Sequence, residues 1–194
     1  MTSGDLLNRM IRAAKLDPSL YEEVEADETA TNQALMVVLI SSACSGIGSA
    51  IDSALSGQGH IGFGLGLIGG LLSSLIAWFL WSFITYFIGT KVFGGVATYN
   101  ELLRTIGFSN SPGVLSVLSF IPVLGGLISF AVWIWKLASM VIAVRQSLDF
   151  TTGKAILTCV VGWIVIMVIL IIIGMFIALP FVIFGFRGTQ IPSF

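Results

Sequence analysis

Lys136 is the residue in this chain with the most evident chemical potential. It sits in "AVWIWKLASM", residues 131–140, beside Trp133 and Trp135. An ammonium inside an apolar stretch is costly in lipid, and such groups often mark ion or substrate paths lined by a counter-charge. Asp52 and Glu101 are the carboxylates such a path would use, which would make the chain a small transporter or channel working through Lys136. The plainer reading has Lys136 snorkelling towards the headgroups on its apolar stem, or buried near backbone carbonyls. The sequence leaves both readings open.

Other chemistry is thin. His60 is the single histidine and lies in "SGQGHIG", residues 56–62, with no nucleophile or ligand nearby. No HExxH and no GxSG with a partner histidine occurs, so no catalytic residue, metal ligand or cofactor is assigned and the chain is not read as an enzyme. "GLGLIG", residues 64–69, matches a dinucleotide-binding fingerprint by letter, but no strand precedes it and the next acid is Glu101. Cys44 and Cys159 are far apart, without CxxC spacing, and read as packing residues.

The elements that would position Lys136 are membrane helices. Of 194 residues 56% are hydrophobic and 10% charged, with a mean hydropathy of +1.01. Soluble domains carry about a quarter charged residues, so lipid must solvate this surface. Residues 29–51, 53–90, 105–135 and 155–186 contain no Asp, Glu, Lys or Arg. A crossing helix needs about 20 apolar residues, so each run holds at least one. The hydropathy pattern places spans near 33–55, 63–88, 112–124, 126–148 and 153–179. The third is short, and a re-entrant dip is its alternative. Pro180 is expected to end the fifth.

Before these spans, "DLLNRMIRAAKL" puts Leu6, Leu7, Met10 and Ile11 on one helical face and Arg9, Arg12 and Lys15 on the other. That suits a helix in an anionic headgroup layer, or one packed on the protein's own surface. Asp17 and Pro18 are positioned as N-cap and first residue of a second helix. "YNELLRTIGF", residues 99–108, reads as a short amphipathic helix at the interface. Gly46 and Ala50 in the first span, and Gly62, Gly66 and Gly70 in the second, have the small-xxx-small spacing of close helix contacts. These two faces are expected to touch each other, or another chain.

Charge placement sets the expected orientation. With five spans and a cytoplasmic N-terminus, Arg9, Arg12, Lys15, Lys91, Arg104, Arg145 and Lys154 lie inside and Arg187 outside, with Lys136 counted apart. The fold expected is an all-α integral membrane protein: a five-span helical bundle, N-terminus cytoplasmic, with a short third span and N-terminal amphipathic helices. Nothing resembles a nucleic-acid-binding surface.

"EVEADETATNQALMVVLISS", "ATYNELLRTIGFSNSP" and "IWKLASMVIAVRQSLDFTTGKAI" together resemble the prokaryotic branch of the Yip domain family of Ypt/Rab GTPase-interacting membrane proteins. The resemblance runs over about residues 10–185. It divides the chain into a cytoplasmic amphipathic and acidic segment, 1–32, a Yip-like transmembrane domain, 33–187, and a tail, 188–194. It implies a five-helix membrane protein of a prokaryotic cytoplasmic (inner) membrane. The residues that follow the family pattern most closely are Tyr99, Glu101, Arg104, Gly107, Phe108, Pro112, Trp135, Arg145, Asp149, Thr152, Lys154 and Ala155. For eukaryotic members the family implies binding of prenylated Rab GTPases. A Rab-type GTPase is not expected here, because "EVEADETATNQ" stands where those members carry an acidic-aromatic "DLYGPFW"-like segment. The function expected is a scaffold, partner-docking or membrane-organising protein. Its partners would be the bilayer and other membrane proteins, in a large complex as an accessory subunit or as a homo-oligomer. Tyr99, Glu101, Arg104, Lys136, Arg145, Asp149 and Lys154 are the candidate interaction or intramembrane polar sites.

Overall fold

The computed structural model describes residues 3–55 and 63–188, with side chains over 5–55 and 66–179; His60, Gly62 and the tail from 189 lie outside the described residues. Among the described residues every regular element is a helix. In order these are α1 (Ser3–Ala14), α2 (Pro18–Ala26), α3 (Ala30–Leu55) and α4 (Phe63–Phe87), which a π-helical turn (Ile88–Val92) continues. Then come α5 (Tyr99–Phe108), a 3-10 helix (Ser111–Phe120), α6 (Gly125–Ser147) and α7 (Thr152–Gly188). Four helical stretches are long and apolar enough to cross a membrane: Ala30–Leu55, Gly66–Val92, Gly125–Ser147 and Thr152–Leu179. The chain is a multi-pass membrane protein.

Local sequence explains the boundaries. Asp17 caps α2 as expected, its carboxylate accepting from Ser19 N at 3.1 Å, with Pro18 in the first turn. Thr98 and Glu101 form a reciprocal capping box at the start of α5, where Thr98 Oγ1 accepts from Glu101 N and Glu101 accepts from Thr98 N. α7 runs past Pro180 to Gly188 instead of ending there. In an apolar setting, leaving the helix would expose many backbone groups, whereas Pro removes a single donor.

The expected third span takes a different form. Residues 111–120 wind as a 3-10 helix, and Val123 in the following turn holds a positive φ of 70°. Side chains three apart eclipse in this helix, which stacks Gly113, Ser116 and Ser119 along one face. That face lies on α3. A Cβ on Gly113 would stand 2.0 Å from Ser41 Oγ, and one on Gly48 would stand 2.5 Å from the Ser116 carbonyl oxygen. The 3-10 helix is the main partner of α3, ahead of α4. Ten residues at ~2.0 Å each advance roughly 20 Å, against roughly 15 Å in an α-helix. The segment therefore follows α3 from Ser41 to a shallow cleft lined by Ser49, Asp52, Ser119, Pro122 and Ser129.

The expected α3–α4 glycine contact is narrower than its spacing suggested. Gly46 meets Leu67, since a Cβ there would lie 2.8 Å from its side chain. Ser42 Oγ donates to the Gly70 carbonyl at 3.4 Å. Gly66 and Gly70 have nothing within 4 Å of a built Cβ, and Ala50 is half-buried.

Tertiary bonds gather α1, α2, α5 and the α6–α7 turn at one end of the bundle. Gln146 Nε2 donates to Glu22 at 2.6 Å, and Trp78 Nε1 to the Leu103 carbonyl at 3.0 Å. The buried core sits at this end, around Leu20, Tyr21, Val37, Leu102, Phe108 and Val144. The other end presents Ile68, Leu72, Ile76, Leu127 and Phe130 outward. α5, expected at an interface, is enclosed, with residues 102–108 all buried. Gly107 approaches α3 so closely that a Cβ would lie 2.6 Å from Ala34 Cβ. Gly48→Ala is expected to cost about 1–3 kcal/mol by pushing the 3-10 helix off α3. Gly66→Ala is expected to be neutral or stabilising by about 0.5–1 kcal/mol. Equilibrium unfolding of both variants in detergent checks the contrast.

Candidate functional site

The polar side chains at the enclosed end fall into two groups: those bonded within the chain and those left outward. Arg104, on the third residue pair of α5, is buried and points into the end of α2. Its Nε donates to the Val24 carbonyl at 3.0 Å, and an Nη donates to the Glu25 carbonyl. These are last-turn acceptors with no partner inside their own helix. A guanidinium serves them well because its donors form a fixed fork and its charge faces the negative end of the helix.

A second network lies beside it. Arg9 on α1 is 8% exposed, and its guanidinium sits 2.9 Å from both Glu23 and Asp27, 3.7 Å from Asp5 and 2.9 Å from Gln33 Oε1 on α3. Arg12 reaches Asp17 at 2.9 Å and Glu23 at 2.5 Å. The two arginines thus bind α2 and the start of α3, so of the two readings of α1 the structure realises packing on the protein's own surface. Burial alone would loosen the Arg9 proton, yet Asp27, Asp5 and Glu23 more than offset it and its pKa rises. Thr29 and then Arg9 hold the Asp27 carboxyl below its ordinary range; Ser19 and Arg12 do the same for Asp17. Sequence reasoning missed Arg9 as an anchor. The signal was present, since its seven acidic neighbours in the first 28 residues far outnumber the basic ones.

The other candidates are placed as follows. Glu101 is held in the α5 capping box, and Tyr99 donates to the Phe79 carbonyl at 3.2 Å while its ring meets Phe83 and Tyr86 edge-on. Arg145 donates to Gln146 Oε1 at 2.9 Å, so Arg145, Gln146 and Glu22 form a chain from α6 to α2. Asp149 is exposed in the α6–α7 turn with φ 52°, and Lys154 is exposed over the Phe150 ring, 5.5 Å from its centroid. Arg104, Glu101, Asp149 and Glu22 come together around Glu25. Burial, then the Glu101 and Asp149 carboxylates, push the Glu25 carboxyl up to about 7, with Arg104 opposing. Lys136 is brought to neither Asp52 nor Glu101. Its stem lies against Gly113, while Asp52 lines the cleft at the other end. Cys44 and Cys159 are free and half-buried. Among the described residues no group of three or more His, Cys, Asp or Glu is placed to hold a metal ion.

The arrangement is that of an anchored helical layer, and its family is recognisable. The Yip1 domain matches residues 17–186, so the chain belongs to the Yip1 domain family. Members are generally non-catalytic membrane proteins. No curated protein and no solved structure shows significant similarity to the chain.

Removing the guanidinium with Arg104→Met leaves the buried Val24 carbonyl and the part-buried Glu25 carbonyl without this donor. It is expected to lower stability by about 2–4 kcal/mol, with Arg104→Lys recovering part of the loss. Unfolding in detergent and protease nicking between α2 and α3 read this out. Glu25 gives a pH dependence. Its folded pKa is above the unfolded value, so its contribution is present below about 4.3 and is lost as pH rises through about 7. Glu25→Gln is therefore expected to raise the melting temperature at pH 8 and leave it unchanged at pH 4.

Proposed function

We propose that this Yip1-domain protein is a membrane scaffold whose anchored helical layer, formed by α1, α2, α5 and the α6–α7 turn, faces the cytoplasm and docks other proteins. One observation carries this reading. The layer's buried arginines are bonded inside the chain, which fixes a rigid surface, while Asp149, Lys154, Glu22 and Glu28 remain exposed on it. Preorganised surfaces lose less entropy on binding a partner.

The orientation follows from the same geometry joined to charge. Arg9, Arg12, Lys15, Arg104, Arg145 and Lys154 belong to elements that hydrogen bonds and packing place at one end, and positive residues favour the cytoplasmic side. The 3-10 helix acts as a thin third crossing, so the chain passes five times and α7 ends on the outer side. A prokaryotic inner membrane and membership of a larger complex extend this reading. α7 supports lateral association as well as lipid contact, since residues from Met167 to Phe176 are mostly exposed on every side. The separation of Lys136 from Asp52 and Glu101 supports the scaffold reading over a transporter working through Lys136.

The test is retention of partners. Membranes from the native host, solubilised in mild detergent, are expected to give a tagged protein that migrates above monomer mass with stoichiometric partners. The exposed-site variant Asp149→Asn with Lys154→Glu is expected to lose those partners while keeping the wild-type melting temperature. A monomer without partners in both proteins overturns the proposal.

A further inference from the structure

The cleft at the far end of the bundle gathers polar groups that the rest of the chain does not use. About 350 Å³ in volume, it is lined by Ser49 and Asp52 on α3, Ser119 on the 3-10 helix and Ser129 on α6. That volume lies within the ~300–1,000 Å³ typical of ligand pockets. Elsewhere in the molecule hydroxyls close on their own helix: Ser74, Thr90, Thr105 and Thr158 each donate to a carbonyl three or four positions earlier. The three cleft serines do not, and Asp52 has no ion pair; among the described residues none of the four side chains has a hydrogen-bond partner. The backbone sets the cleft's wall. Val123 turns the chain from the 3-10 helix into α6 at φ 70°, a strained value for a β-branched residue, and a Cβ on Gly125 would collide with the Ser119 carbonyl.

The lining selects a ligand. One carboxylate and three hydroxyls converge, and among the described residues no lysine, arginine or histidine lines the cleft, so its match is a cation. A quaternary ammonium is held by aromatic faces, and no aromatic side chain lines the cleft. A primary ammonium instead has three N–H donors to divide between a carboxylate and hydroxyl oxygens, and a hydroxyl can also donate to an adjoining phosphate. Position supplies the rest. Asp52 is three residues short of the end of α3 and Ser129 four past the start of α6, so the cleft opens where two spanning helices end and headgroups lie. Beside it Val123 is 99% exposed, Leu127 65% and Phe130 58%, an apolar rim that a soluble amine would leave uncovered. We infer that the cleft binds an aminophospholipid, its primary ammonium on Asp52 and the serine hydroxyls and its acyl chains over Val123, Leu127 and Phe130.

The site lies at the opposite end from the docking layer and its assay contains no second protein, so it fails or succeeds separately from the proposed function. Full-length protein in a neutral detergent is titrated with short-chain phosphatidylethanolamine, phosphatidylcholine and phosphatidylglycerol, and with soluble phosphoethanolamine. Melting temperature and native mass spectrometry follow binding. Phosphatidylethanolamine is expected to raise the melting temperature saturably and to give a discrete adduct, with no such response to the other three. Asp52→Asn is expected to weaken that binding about ten-fold, as for one charge-assisted contact, and the double variant Ser49→Ala with Ser129→Ala about three-fold. Both variants are expected to keep the wild-type melting temperature without lipid, because the replaced groups bond nothing inside the chain. Equal responses to phosphatidylethanolamine and either other lipid, an equal response to phosphoethanolamine, or wild-type affinity in Asp52→Asn overturns the inference. Should Asp52→Asn fail to fold, the serine double variant decides the matter, and wild-type affinity in it overturns the inference equally.

Discussion

A buried guanidinium must find acceptors inside the protein, and that constraint organises this molecule. Arg104 closes the carbonyl end of α2 from α5, and Arg9 ties α1 to α2 and to the first turn of α3. Losing one partner of a buried charge is costly because the other is left without solvent. The N-terminal helices are therefore part of the bundle's core, although their composition is that of a soluble appendage. Tyr21, on α2, is fully buried, and burial raises its pKa.

Fixing that layer has consequences along the chain. α5 leads from the enclosed end straight into the 3-10 helix, with Ser41 Oγ donating to the Asn110 carbonyl at 2.8 Å. Because the layer already occupies the proximal part of α3, the next segment begins part-way along it. A short and extended helix can reach the distal cleft, where α6 starts back. Gly48 and Gly113 permit the approach, and small residues matter here because van der Waals contact replaces the hydrophobic effect between helices in lipid.

The same economy of charge separates the surfaces. Asp5, Asp17, Glu23 and Asp27 are engaged by Arg9 and Arg12, whereas Glu22 accepts from Gln146 and Glu28 stays exposed. Around Glu25, by contrast, several carboxylates face one guanidinium. One end of the molecule thus carries both an arginine-bound set of carboxylates and an acidic cluster around Glu25, set by which partners the arginines take.

Much was legible without coordinates. Charge-free runs marked the membrane helices, Asp17-Pro18 marked the start of α2, and "YNELLRTIGF" coincides with α5, because hydropathy and capping are properties of neighbouring residues. Tertiary structure decided which way Arg9 and Arg104 point, that α5 is enclosed, that Gly48 rather than Gly66 or Gly70 makes the close approach, and that Lys136 lies apart from Asp52 and Glu101. Those outcomes depend on pairing between elements far apart in the chain, 80 positions for Arg104 and Val24 and 124 for Gln146 and Glu22. Periodicity along one helix gives a face; what covers that face is settled by the helices that reach it.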